Sequence, residues 1–316
     1  MPNYAATLQR SIFEDGSART RSLREPVAPL ARLLAEFHTS MNMVGLRCFA
    51  GNMDRFMVFC LLLRTSLSHG ERRGTISVHS AAMSLGRPFE TIRRHICTLV
   101  NQGICERTPA GVMLSYHHWE QPESWQRLRF SHDCFVRLIA DGVACGAIPA
   151  KAGGDQPCLS LDDGACAAAD LILALVDTNR FLCEESIDLA IFSAVLHGNH
   201  RLYASDPTTA LARTDTLRPH HAVRVAQVAR ALALPDTTVR RRIAPFTRRG
   251  GLYVRTPTGL LVATDRLRSL RECDSSSSAR HGSIRLIIKR AVARGLSLAR
   301  SERSYCDGRP ATPTIE

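Results

Sequence analysis

The chain has no long hydrophobic run. Its most apolar stretches, 56–63 and 167–176, fall far short of a membrane span. The opening residues MPNYAATLQRSIFEDG carry no apolar signal core, so the expected compartment is the cytoplasm. There is no CxxC pair, and the 11 cysteines are an odd number in a long chain. Free thiols filling small gaps in the core are therefore expected rather than a disulfide framework. No P-loop, no GxGxxG after a strand, no GxSxG and no HExxH occurs. Nothing orders the scattered Ser, His and Asp into a triad, so the sequence points to no catalytic residue and no cofactor. The pairs His117-His118, His197 with His200, and His220-His221 lack a nearby Cys pair and are expected as solvated loop histidines, not metal ligands.

What the chain does contain is one pattern written twice. Residues 76–114 read ISVHSAAMSLGRPFETIRRHICTLVNQGICERTPAGVML, and residues 223–262 read VRVAQVARALALPDTTVRRRIAPFTRRGGLYVRTPTGLLV. At a fixed offset, Val78, Ala82, Leu85, Pro88, Thr91, Arg93, Arg94, Ile96 and Gly103 meet Val225, Ala229, Leu232, Pro235, Thr238, Arg240, Arg241, Ile243 and Gly250. After one inserted residue, Arg107-Thr108-Pro109 with Gly111 meets Arg255-Thr256-Pro257 with Gly259. Two copies indicate a duplicated domain rather than a solenoid.

Each copy has the same internal order. In the second, Val225, Val228, Ala229 and Leu232 recur at helical spacing. Pro235 then breaks the helix, with Asp236 and Thr237 beside it as capping residues. A second helix starts near Thr237, with Val239, Ile243 and Phe246 inward, and stops at Gly250-Gly251. Two β-prone runs around Thr256-Pro257-Thr258-Gly259 form a hairpin signal. In the first copy the spacing predicts a helix over 78–85, a turn at Arg87-Pro88, a helix over 90–101 with Ile92, Ile96 and Leu99 inward, and a hairpin turning at Pro109–Gly111. Another apolar helix precedes each copy, 53–63 and 187–196.

The words SLGRPFETIRRHICTLVNQGICERTPAGV and ALALPDTTVRRRIAPFTRRGGLYVRTPTG resemble the winged helix-turn-helix domain of bacterial transcription regulators. The resemblance covers about 53–115 and 187–263, under half of the chain. It implies that the second helix of each turn enters the major groove and that the hairpin touches the adjacent backbone. The expected fold is mainly α with small β wings: tandem winged helix-turn-helix domains joined by a partly helical linker.

Helical geometry then sorts the residues that would face DNA. With Val239, Ile243 and Phe246 inward, Thr237, Arg241, Ala244 and Arg248 point outward, Arg240 and Arg242 lie on the flanks, and Thr238 stands beside them. In the first copy Glu90, Arg94, Cys97 and Asn101 point outward, with Thr91, Arg93 and His95 beside them. Outward Arg and Asn suit guanine and adenine edges, and flanking Arg suits phosphates. Arg107 and Arg255 lie in the hairpins. Cys97 is expected as a small residue that lets its helix approach DNA.

Charge agrees with this reading. The net charge of +12 favours an anionic partner, nucleic acid before membrane. Residues 218–263 hold nine Arg against one Asp, and 72–115 hold six Arg against two Glu. Residues 117–186 instead carry eleven Asp/Glu against five Lys/Arg.

The expected organisation is a disordered tail over 1–27, a first unit over 28–115 and an acidic linker over 116–164. A second unit over 165–263 and a flexible basic tail over 264–316 complete it. Leading helices are expected at 30–37 and 169–176, a linker helix at 131–143 and a Gly/Pro/Ala-rich stretch at 147–157. Residues 198–221 read as a polar, mobile loop, and 301–316 as disordered. After a Ser-rich joint, 283–299 reads as a basic amphipathic helix that docks on DNA, on an acidic partner or on the acidic segment of this same chain. The function expected is sequence-specific binding of double-stranded DNA by a transcription regulator, with no membrane partner. RNA polymerase or replication proteins are further partners, and the oligomeric state is left open. The rival readings are a plasmid-type replication initiator and a protein–protein adaptor built on winged helices.

Overall fold

The computed structural model describes residues 26–68, 74–150, 158–212, 216–248, 250–273 and 279–315. The expectations for residues 1–25, for most of the 147–157 stretch and for the Ser-rich joint fall outside these. The described residues are mainly helical, with two small antiparallel sheets of two strands each.

The first unit opens with α1 (Pro29–Cys48), whose apolar stripe of Leu30, Leu34, Phe37 and Met41 is buried, and α2 (Met53–Ser68). Next come α3 (Val78–Leu85) and α4 (Phe89–Asn101). The Ser77 side chain accepts the Ser80 N–H at the start of α3, and Gly86 ends it in the left-handed conformation at φ 59°. Ile92, Ile96 and Leu99 of α4 face inward, as their spacing requires. Strands β1 (Cys105–Thr108) and β2 (Gly111–Leu114) form a hairpin, and Ile76 bridges to Val112 as a third rung.

The second unit repeats this plan. After α7 (Leu161–Thr178) and α8 (Ser186–Ser205) come α9 (Pro207–Ala212), α10 (Val225–Ala231), α11 (Asp236–Ile243) and the hairpin of β3 (Tyr253–Thr256) and β4 (Gly259–Val262). Val223 bridges to Leu260, the counterpart of the Ile76 bridge. Ala233 takes the left-handed turn position that Gly86 holds in the first unit, at φ 53°.

α11 is shorter than its periodicity suggests. Pro245 lacks the N–H that an α-helix needs, so Ala244–Thr247 tightens into a 3₁₀ turn. Phe246, expected inward on the helix, is half-buried and meets the Tyr253 ring edge-on at 6.5 Å. Arg248, expected on the helix's outward face, lies beyond its end.

Three further expectations are corrected. The described part of the 198–221 region, residues 198–212 and 216–221, is not a mobile loop: α8 runs unbroken to Ser205, followed by α9 and a 3₁₀ turn at Pro219–His221. Its polar residues are partnered inside the fold. Asn199 donates to the His221 and Leu260 carbonyls, each at 2.9 Å, and accepts from the Val262 N–H at 2.9 Å, which ties the second hairpin to α8. His118, His197, His200 and His221 are buried rather than solvated, whereas His117 and His220 are exposed. The last residues are not disordered either. A 3₁₀ turn (Leu298–Ser304) leads into an extended strap held by buried groups. Arg137 donates to the Pro310 and Ala311 carbonyls at 3.1 and 2.7 Å, and a ring nitrogen of His197 meets the Pro313 carbonyl at 2.8 Å.

Between the hairpins lie α5 (Tyr116–Glu120) and α6 (Pro122–Ala144), longer than the expected linker helix and buried through Leu128, Phe135 and Ile139. After the second hairpin come α12 (Thr264–Cys273) and α13 (Ala279–Ala293). α13 docks on α7 through buried Ile284, Ile287 and Ala291, and Arg294 just beyond it pairs with Asp163 at 3.0 Å. Of the three partners open to the basic helix, the acidic segment of its own chain is the one it packs on. Among the described cysteines Cys60, Cys105, Cys134, Cys166 and Cys183 are buried, but Cys48, Cys145, Cys158 and Cys306 are exposed, so gap filling accounts for only part of them.

The units are interlocked. α1 of the first packs along α8 of the second, and α7 of the second packs along α2 of the first. A ring nitrogen of His38 and the Ser193 hydroxyl, 2.8 Å apart, join the first pair, and Arg64 with Asp170 at 2.6 Å the second. The two α3–α4-type turns are seated reciprocally. Arg180 donates to the Leu85 carbonyl at 3.2 Å, and a Cβ on Gly51 would stand 3.3 Å from Leu234.

Candidate nucleic-acid interface

The exposed faces of α4 and α11 begin alike, each after a proline at the capping position: Pro88 (φ −54°, ψ 136°) and Pro235 (φ −60°, ψ 137°). That fixed, extended entry sets both helices at the same point of the repeat.

On α4, Glu90, Arg93, Arg94 and Asn101 are exposed, and Thr91 and Cys97 are half-buried. The arginines do not stand free. Glu90 accepts from Arg93 at 2.7 and 2.8 Å and from Arg94 at 2.9 Å. These bonds pull the Glu90 carboxyl down to about 2, so it stays ionised and offsets its neighbours' charge. Arg107 reaches from β1 to the Cys97 thiol at 3.0 Å, so hairpin and helix share one surface. His95 turns to Asp54 of α2, 3.8 Å away, and burial lowers its pKa.

On α11, Thr237, Arg240 and Arg241 are exposed, and Thr238 is half-buried. Arg240 pairs with Asp236 one turn earlier. Arg242 leans back to Asp188 of α8 at 3.4 Å, as His95 does to Asp54. Burial raises the Asp188 pKa, and the Arg242 charge works against that rise. Arg241, Arg248 and Arg255 are exposed and have no hydrogen-bond or ion-pair partner among the described residues. The two faces therefore differ. The first is a tied network of two arginines on one glutamate, and the second carries three unengaged guanidinium groups.

Arg87, at the turn before α4, is a junction. It grips Glu185 of the second unit through two bonds, 3.1 and 2.6 Å, and reaches Asp54 at 3.2 Å. The Arg87 hydrogen bond lowers the Glu185 pKa. Nothing local in the sequence pairs residues so far apart, although Arg beside a turn proline was the available signal.

Among the described residues two clusters have metal-ligand chemistry: Asp206 with His220 and His221, and His132 with Asp133 and Cys306. In the first, the Arg218 N–H donates to His221 Nδ1 at 3.0 Å, so His221 Nε2 carries the proton it gives to Asp206 at 3.0 Å. That tautomer has no lone pair at Nε2 for a metal. In the second, His132 Nε2 lies 2.8 Å from the Ser304 carbonyl, and the Asp133 carboxylate accepts from the Cys306 and Asp307 N–H groups at 2.8 and 3.0 Å, so the cluster serves to hold the C-terminal segment.

No helix among the described residues is long and apolar enough to cross a membrane. Comparison with protein families, with characterised proteins and with solved structures gives no match to this chain.

Proposed function

We propose that the protein binds double-stranded DNA sequence-specifically through two winged helix-turn-helix units in one chain, and acts as a transcription regulator. The observation that carries this reading is the set of exposed, unengaged arginines on the second unit: Arg241 on α11, Arg248 just beyond it and Arg255 on β3. A helix and a hairpin carrying free guanidinium groups can meet base edges and the adjoining backbone together. The first unit supplies a weaker, more selective face, because Glu90 must be outcompeted by phosphate before Arg93 and Arg94 are free. His95 and Arg242 act indirectly in this scheme, bracing each reading helix against its own unit.

The test is binding of a labelled random duplex over a range of salt. Each phosphate contact adds roughly 0.9 to the salt slope, so replacing Arg241, Arg248 and Arg255 together by Ala should cut it by about 2 to 3. An unchanged slope would remove the second unit from the interface.

The interlocked helices favour one further reading, a plasmid-type replication initiator, because fixed units let a single chain occupy each of several repeated origin sites. Stoichiometric binding of one chain per direct repeat would distinguish it from a regulator on a single operator.

A further inference from the structure

The first unit contains an aromatic pocket that the DNA reading does not use. It encloses about 540 Å³ of space open to solvent, between α1, α2, α5 and α6. Phe49, Phe56 and Phe59 form its wall, with ring centroids 6.2 Å (Phe49 to Phe56) and 5.3 Å (Phe49 to Phe59) apart. Gly45 makes the wall what it is: a Cβ there would stand 2.5 Å from the Phe56 ring, so only glycine lets that ring lie against α1.

The polar lining is sparse: His118, Arg127, Ser131 and Cys48. His118 is buried and T-shaped against Phe59 at 5.4 Å, with its Nδ1 3.2 Å from the Ser124 hydroxyl. Burial first, then Arg127 and His117, lower its pKa to about 4, so it is neutral at pH 7. Arg127 is exposed and has no ion-pair partner among the described residues, and it is the one fixed charge among the described residues that line the pocket. An apolar cavity with a single unengaged guanidinium selects a ligand with an apolar body and one anionic end.

We propose that this pocket binds a small apolar carboxylic acid, its body against Phe49, Phe56 and Phe59 and its carboxylate on Arg127. Ile104, which lines the same pocket, is the joint between α4 and β1. Its N–H donates to the Leu99 carbonyl and its carbonyl accepts from the Ser115 N–H, both at 3.0 Å. A ligand pressing on Ile104 therefore acts where the reading helix meets its hairpin. That regulatory meaning rests on the DNA-binding reading above; ligand binding itself does not.

The experiment uses the full chain without DNA, so its failure and the failure of the DNA reading are separable. Phenylacetate is titrated while tryptophan fluorescence is followed, because the Trp119 ring lies 5.4 Å from that of His118. The expected result is saturable quenching with a Kd of about 1 mM or tighter. Phenylacetamide, which keeps the ring but not the charge, should bind about tenfold more weakly, and Arg127→Gln should lose about tenfold for phenylacetate. Arg127 is exposed, so this variant should keep its fold. No saturable response to phenylacetate, or an affinity undiminished when the amide replaces the acid or Gln replaces Arg127, would overturn the proposal.

Discussion

Gly259 offers the most direct physical test of the repeated hairpin. It closes the turn between β3 and β4 at φ 155°, and a Cβ there would overlap the Val223 carbonyl oxygen. That carbonyl belongs to the bridging rung, where Leu260 N–H donates to Val223 O at 2.8 Å and Val223 N–H to Leu260 O at 3.1 Å. Gly259→Ala must push the rung away. Two hydrogen bonds are lost at about 1 kcal/mol each, and a side chain at positive φ adds about 1 kcal/mol. The stiffer unfolded chain returns about 0.5–1 kcal/mol, leaving a net loss of about 2–2.5 kcal/mol. Gly111→Ala should cost a similar amount, since its Cβ would stand 2.5 Å from the Ile76 carbonyl oxygen. Gly146→Ala is the control: φ is 75°, but nothing lies within 4 Å, so only backbone strain of about 1 kcal/mol applies. Urea unfolding followed by circular dichroism measures all three. If Gly259→Ala costs no more than Gly146→Ala, the close approach of the rung is wrong.

Three further outcomes are expected. Arg241→Ala should weaken binding to the preferred site by about 1–3 kcal/mol and relax one position of it, whereas Arg240→Ala should weaken all DNA alike, as competition binding would show. Burial lowers the pKa of His38, His118 and His197 to about 4 and of His200 to about 3. The unfolded chain therefore takes up protons first, and stability should fall as pH drops from about 6.5 towards 4, by up to about 1.4 kcal/mol per pH unit for each histidine. Glu36, whose pKa is raised by burial, offsets a little of this, and a urea midpoint unchanged between pH 7 and pH 5 would contradict it. Ending the chain after Ser304 should cost at least about 3 kcal/mol, because buried Arg137 loses two carbonyl acceptors; an unchanged melting temperature would show that the strap is not structural.

The parts of the fold written in short-range pattern were legible in the sequence. Ile92, Ile96 and Leu99 gave α4 its inward face, and Thr-Pro with Gly111 or Gly259 gave the hairpins, because both signals depend on neighbours within a few residues. Pro245 is an equally local signal, but the spacing of Phe246 points to continuity; the proline's missing N–H decides the matter. Residues 197–200 looked like a loop because they are polar, yet their partners are the His221, Leu260 and Pro313 carbonyls, far along the chain. The C-terminal strap failed for the same reason, as its residues gain order from Arg137 and Asp133 on α6 and from His197 on α8. At the candidate site, periodicity found which arginines are exposed. It could not tell that Arg93 and Arg94 share Glu90 while Arg241 is unengaged, because those differences lie in side-chain geometry.

The central claim is that two linked reading helices recognise one composite DNA site. Its most direct measurement is selection of bound duplexes from a random-sequence pool by the full chain, with affinity followed across salt. The account predicts a steep salt slope and an enriched motif in two unlike halves, since α4 and α11 present different side chains. No binding at low salt would contradict it and leave a protein–protein scaffold as the better reading.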